Sequence, residues 1–198
     1  MKIALTGGIA CGKSTLAKFL TELGIRLLDA DDVVHEMEAA GGVAVPAIVD
    51  RFGKGVLAQD GSINRVALAK IVFADAGARQ DLEKILFPLV RARLLEFVES
   101  ANSLNISVIP LLFESHWDKV YDIIIAIASP KGQQIDRMMQ TRGYTFAEAE
   151  ARLAAQMPVT EKIARSDFVV MNDSTPENLK EEARRLYAWL EERTKHEH

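Results

Sequence analysis

"LTGGIACGKST", residues 5–15, follows directly on the first apolar residues of the chain. Two glycines, Gly7 and Gly12, bracket four residues, and Lys13, Ser14 and Thr15 follow at once. The spacing Gly-x4-Gly-Lys-Ser is that of a phosphate-binding loop. In such a loop backbone N–H groups cradle phosphates, the lysine reaches the β- and γ-phosphates, and the hydroxyl ligates Mg²⁺. Such a loop must leave a strand and enter a helix N-terminus, where orphan N–H groups and the helix dipole favour anions. "KIALT" before it and "KSTLAKFLTEL" after it supply both. A dinucleotide fingerprint would need glycine where Ile9 stands, so the expected ligand is a nucleoside triphosphate.

Further apolar runs stand at "IRLLD" (25–29), "ISVIPLL" (106–112), "DIIIAIA" (122–128) and "DFVVMN" (167–172), and with "KIAL" (2–5) they make five. Short continuous runs of this kind read as strands buried on both faces. Between them the periodicity predicts helices over 13–23, 32–40, 43–52, 64–73, 78–100, 131–142, 146–155 and 176–194. Strands alternating with helices predict an α/β fold, a five-stranded parallel, doubly wound sheet with helices on both faces. The rhythm breaks once. Residues 32–103 are wholly helical in pattern and are expected to form a substrate-side insertion, leaving 1–31 and 104–198 as the nucleotide-binding core. Residues 141–165, charged and helical between the last two strands, are expected to be a lid; a solvated helical hairpin is the alternative.

The bulk properties fit this outline. The chain has 198 residues, 48% of them hydrophobic and 26% charged, with a net charge of −4. Its lysines and arginines are scattered, which argues against nucleic acid as a partner. The apolar opening is far too short for a signal or membrane segment, and the lone cysteine, Cys11, has no internal disulfide partner. A cytoplasmic protein with no membrane association is the expectation. Cys11, near a helix N-terminus and beside Lys13, is expected to have a lowered pKa and to be reactive.

In open parallel sheets ligands lie beyond the carboxyl ends of the strands. The second strand delivers "DADD", Asp29 to Asp32, to that edge. Phosphoryl transfer needs a residue to orient and deprotonate the acceptor hydroxyl, plus cations over the phosphates. Asp31 is the expected base. Asp32 is expected to cap the following helix, and Asp29, leaning to the same side as Asp31 on an extended segment, stands as a Mg²⁺-water ligand or a support for the loop. Glu114, after the third strand, is the nearest acid where many such proteins keep a Mg²⁺-linked aspartate. A GTPase would need a strand-borne D-x-x-G and an N-K-x-D. "DRFG" at 50–53 falls inside an amphipathic helical pattern, so that class is disfavoured.

Taken together, "LTGGIACGKST", "DADDVVHE", "FGKGVLAQDGSINRVALAKIVF", "PLLFE", "AAQMPVTEKIARSD" and "VVMND" resemble the dephospho-CoA kinase family from Lys2 to about Asn172. Residues 52–73 are the discriminating stretch, because the loop alone fits many kinases. The resemblance implies a P-loop kinase core, a helical domain for the coenzyme moiety and a lid. It implies ATP and Mg²⁺ as the reagents and dephospho-CoA as the small-molecule partner. Its ATP-binding residues are Gly7, Ala10, Cys11, Gly12, Lys13, Ser14 and Thr15, and Lys13 and Asp31 are its catalytic pair. Ser14 is its Mg²⁺ ligand.

This chain departs from the family at four places. Ala10-Cys11 replace Gly-Ser, Phe87-Pro88 replace His-Pro, Ile109 stands where an acid often precedes Pro-Leu-Leu, and Thr141 takes the second place of an R-x-x-x-R, with Arg142 one position later. Arg142, alongside Arg137, is the expected lid cation. Two rival readings share the loop: another small-metabolite or nucleoside-monophosphate kinase, and a nucleotide-gated binding module with no acceptor.

Overall fold

The computed structural model describes residues 1–100 and 104–195. Five parallel strands, β1 (Ile3–Gly7), β2 (Arg26–Asp29), β3 (Asn105–Val108), β4 (Ile123–Ala128) and β5 (Phe168–Met171), form one sheet in the order β2-β3-β1-β4-β5. β1 is central, with Ile3 opposite Ile106 on one side and Ile123 on the other. A strand in that position is covered on both faces, which is why β1 and β4 read as unbroken apolar runs and every residue of both is buried.

The two faces carry different side chains because successive residues of a strand point opposite ways. Ile3, Leu5, Ile123, Ile125 and Ile127 enter a core with Leu16 and Leu20 of α1 (Lys13–Glu22) and with Leu179, Leu186 and Leu190 of α9 (Pro176–Lys195). The alternate residues of β1 and β4 are Ala4, Thr6, Ile124, Ala126 and Ala128, all but Ile124 smaller, and a short helix, α8 (Val159–Ala164), packs against those two strands.

The remaining helices are α2 (Ala30–Glu38), α3 (Val45–Phe52), α4 (Arg65–Ala74), α5 (Ala76–Glu99), α6 (Lys131–Arg142) and α7 (Phe146–Ala154). The chain divides into two compact units, Met1–Leu28 with Val98–His198, and Asp29–Phe97. Within the second, Val33, Met37, Ile48, Val56, Ile63 and Leu68 are buried. The largely buried Glu38 pairs with Arg65 at 2.7 Å, tying α2 to α4. The last residues of the stretch read as an insertion, 101–103, lie outside the described residues.

Three details differ from the sequence reading. The third strand stops at Val108 instead of running to Leu112. Ile109 still donates its N–H to the Leu5 carbonyl (2.8 Å), but Pro110 has no N–H to continue the ladder. The helix predicted from 32 starts at Ala30, because its cap comes earlier. Pro158 opens α8 as a helix separate from α7, the arrangement expected of proline at a helix start.

Candidate active site

β1 ends at Gly7 because a Cβ there would lie 2.5 Å from the Ile127 carbonyl oxygen of the adjacent strand. Gly12 has φ +94°, and a Cβ would collide with the Asn172 amide. It is the N-cap of α1 and contributes no side-chain cap, so the first-turn N–H groups of the helix face the loop. No acidic residue occupies that first turn to compete with an anion. Ser14 and Thr15 are exposed there. The Lys13 ammonium donates to the carbonyls of Gly7 (2.7 Å) and Gly8 (2.8 Å), which fixes its charge across the start of the loop. The fixed donors and the cation together match what a chain of phosphates requires.

The interior of the loop is strained. Ala10 has φ +56°, a left-handed conformation that costs a non-glycine residue about 1 kcal/mol. Residues far along the chain hold it there. Gln156 accepts the Ile9 N–H (3.0 Å), and Gln134 of α6 donates to the Ile9 carbonyl (2.9 Å). Arg137 donates to the Ala10 carbonyl (3.2 Å), and Asn172, just beyond β5, donates to that of Cys11 (2.9 Å). Arg137 also reaches Ser129 and the Asn172 carbonyl.

Cys11 is fully buried beneath the loop, and its sulfur receives an N–H from Gln134. Burial pushes the thiol up, outweighing the downward pull of Lys13 and of the hydrogen bonds it receives. The expectation of an activated, reactive thiol is thereby corrected: dehydration of the thiolate dominates over the nearby positive charge.

The acidic segment is built locally. Asp29, the last residue of β2, is the N-cap of α2, its Oδ1 accepting the Asp31 N–H at 2.9 Å. Asp31 and Asp32 both lie in the first turn of α2 and both are exposed. The cap expected at Asp32 is therefore supplied by Asp29. The extended geometry expected to align Asp29 with Asp31 is replaced by a strand-to-helix junction. Asp31 belongs to the unit Asp29–Phe97, and Lys13 and the loop to the other.

Glu114 does not stand as a free acid. Its carboxylate pairs with Lys162 of α8 at 2.9 Å and accepts the Met157 N–H at 3.0 Å. Lys162 is wholly buried and also donates to the Pro110 carbonyl at 2.8 Å. Burial alone would raise the Glu114 carboxyl, but Lys162 and the backbone N–H groups outweigh it and hold the carboxyl below its ordinary value. Arg142, in the last turn of α6, is exposed and has no ion-pair partner among the described residues. Between α6, α7 and α8 a cavity of about 580 Å³ opens beside Gly8, with Gln134, Ala151, Leu153, Met157 and Val159 among its walls.

The dephospho-CoA kinase family profile matches residues 1–178, a span that takes in the loop, the acidic segment, α6 to α8 and β5. The chain belongs to the dephospho-CoA kinase family. Dephospho-CoA kinase of Anaeromyxobacter dehalogenans is 43% identical over 95% of this chain and 91% of its own length. A crystal structure from Thermus thermophilus aligns with a TM-score of 0.81 at 32% identity, over 97% of both chains. Dephospho-CoA kinase from Campylobacter jejuni aligns with a TM-score of 0.74 at 29% identity, over 96% of this chain and 98% of its own. The protein is accordingly a transferase with the P-loop kinase fold, as the glycine loop and the strand pattern predict. Among the described residues no helix is long and apolar enough to cross a membrane.

Sequence reasoning found the loop and missed most of what holds it. Asn172 was within reach, since it ends a strand at the carboxyl edge of the sheet. Gln134 carried no signal, because a glutamine in a helix reads as a solvent-facing residue, and Gln156 stood in the family stretch "AAQMPVTEKIARSD" with no role attached to it.

Proposed function

We propose that this protein transfers the γ-phosphoryl group of ATP to the ribose 3′-hydroxyl of dephospho-CoA, completing coenzyme A. The observation that carries this reading is the family match over residues 1–178 on a chain whose glycine loop has the donor geometry for phosphates. The loop and helix start from Gly7 to Thr15, with Ala10, Cys11 and Gly12 between, hold the phosphates through N–H groups other than that of Ile9, which Gln156 takes, and Lys13 spans the β- and γ-phosphates as charge shifts during transfer. Asp31 accepts the proton of the attacking hydroxyl. The unit Asp29–Phe97 receives the acceptor, residues 141–165 close as a lid, and Arg142 is its cation.

Magnesium fits the donor set. Mg²⁺ takes oxygen ligands and keeps several waters, binding through one or two protein groups plus substrate phosphates. The exposed Ser14 hydroxyl on the first turn of α1 meets that need, although among the described residues no cluster of three or more His, Cys, Asp or Glu could hold a metal. When bound, the ion neutralises charge developing on the phosphate oxygens. The protein is assigned to the cytoplasm and acts on a small molecule, not on nucleic acid.

An acceptor screen tests the assignment. ADP release that depends on dephospho-CoA, and is absent with AMP or shikimate, is the expected result. Release with another small acceptor makes the protein a different metabolite kinase. Nucleotide binding without any acceptor-dependent turnover makes it a binding module.

A further inference from the structure

The main chain is gripped on both sides of the Ile9 Cα by side chains from the segment between β4 and β5. The Ile9 N–H donates to Gln156 Oε1 at 3.0 Å and the Ile9 carbonyl receives Gln134 Nε2 at 2.9 Å. The chemistry dictates the assignment, since only an acceptor can meet the N–H and only a donor the carbonyl. Gln134 is almost wholly buried, so its amide is fixed in place. The next residue, Ala10, is the one held at φ +56°, and such a conformation persists only where the surroundings over-determine it. Gln156 sits just after α7, two residues ahead of the proline that opens α8. The adjoining Met157 N–H is tied to Glu114, so Gln156 is presented from a fixed support.

We infer that Gln156 and Gln134 are positioning residues for phosphoryl transfer: they clamp the two peptide groups that flank Ile9 and thereby hold Ala10 in the left-handed turn that aims the following N–H groups at the phosphates. Neither side chain is assigned a contact with ATP. Both act through the loop backbone, Gln156 as a hydrogen-bond acceptor and Gln134 as a donor. The inference rests on the reading of the loop as an ATP site.

The opposite polarity of the two contacts makes the test specific. Gln156→Glu keeps an acceptor for the Ile9 N–H. Gln134→Met removes the donor to the Ile9 carbonyl without placing a charge at this buried position. Gln156→Glu and Gln156→Leu keep or remove the acceptor at one position, and Gln134→Met removes the donor at the other. In the full-length enzyme, ADP titration is expected to give an affinity within about threefold of wild type for Gln156→Glu and at least tenfold weaker for Gln134→Met. Gln156→Leu is expected to raise KM for ATP about tenfold while leaving KM for dephospho-CoA within twofold. The inference is overturned if Gln156→Glu and Gln134→Met bind ADP alike, or if the leucine variant leaves KM for ATP unchanged or raises both KM values in step. Should the leucine variant not fold, Gln156→Glu beside Gln134→Met decides. Wild-type enzyme that does not bind ADP would instead end the reading of the loop itself.

Discussion

The glycine loop and the acidic turn carry the two halves of the proposed chemistry, and they are built in opposite ways. Asp31 is set by its neighbours in sequence: Asp29, two residues back, receives its N–H and starts the helix. The loop is set by Gln134, Arg137, Gln156 and Asn172, more than a hundred residues away in the chain. A feature closed by local hydrogen bonds keeps its shape if distant packing changes. A strained turn around Ala10 does not, because the contacts that fix it depend on the whole sheet being assembled. Substitutions at the acidic turn should therefore separate chemistry from stability, whereas substitutions in the supports of the loop should move both.

The largest expected effect is at Asp31. Asp31→Asn should lower kcat by roughly 10²- to 10⁴-fold with little change in ATP affinity and none in melting temperature, since the isostere keeps the helix start intact. Steady-state kinetics beside a thermal melt check this. Near-wild-type turnover by the folded variant removes Asp31 as the base and leaves the acidic turn without a chemical role.

Next is the buried pair that anchors α8. Lys162→Met should destabilise the protein by about 3 kcal/mol, toward the low end for broken buried pairs because Glu114 retains some access to water. Urea unfolding measures it. The pH dependence sharpens the point. Glu114 in the fold titrates below its ordinary value, so its contribution is complete above about pH 4.3 and is lost as pH falls through the lower folded value. Without Lys162, burial is left to raise the carboxyl, so this acid-side loss should shrink or reverse. An unchanged acid limb in the variant would mean that the pair does not stabilise this part of the fold.

Asp29→Ala should cost about 1 kcal/mol, the usual effect of deleting a helix N-cap, with a fall in kcat far smaller than that of Asp31→Asn. If it abolished turnover and left stability unchanged, Asp29 would be a chemical group, and the contrast between a local scaffold and its catalytic tip would fail. The smallest effect is at Cys11. Iodoacetamide should label it only as the protein unfolds, and more slowly still with nucleotide bound, since the thiol is buried, its ionisation is disfavoured and a ligand of the folded state lowers the unfolded fraction. Rapid labelling of the folded protein, followed by mass spectrometry, would mean that the floor of the loop opens.

Particular elements explain why the sequence was legible in some places and not in others. The strands of "KIAL" and "DIIIAIA" declared themselves because burial on both faces demands a continuous apolar run. "ISVIPLL" overstated its strand because apolar character continues past the point where Pro110 ends the pairing. The capping aspartate was misassigned among the four letters of "DADD", since which side chain caps depends on where the strand stops, and β2 stops at Asp29 itself. Cys11 was misread for a different reason. Proximity to Lys13 is visible in sequence, but the depth of burial is not.

By itself, then, the sequence determined whatever is fixed by residues a few positions apart: a glycine-bracketed strand-to-helix turn, alternating strands and helices, and the motifs of the dephospho-CoA kinase family. Spacing and periodicity suffice for these because the forces involved, backbone sterics and the hydrophobic patterning of single elements, act over a turn or a strand. Only the tertiary structure decided which side chains hold the loop in its strained form, that Glu114 is committed to Lys162, and that Cys11 is shielded. Those outcomes depend on hydrogen bonds and desolvation between residues such as Ile9 and Gln156, which nothing but the completed sheet brings within 3.0 Å.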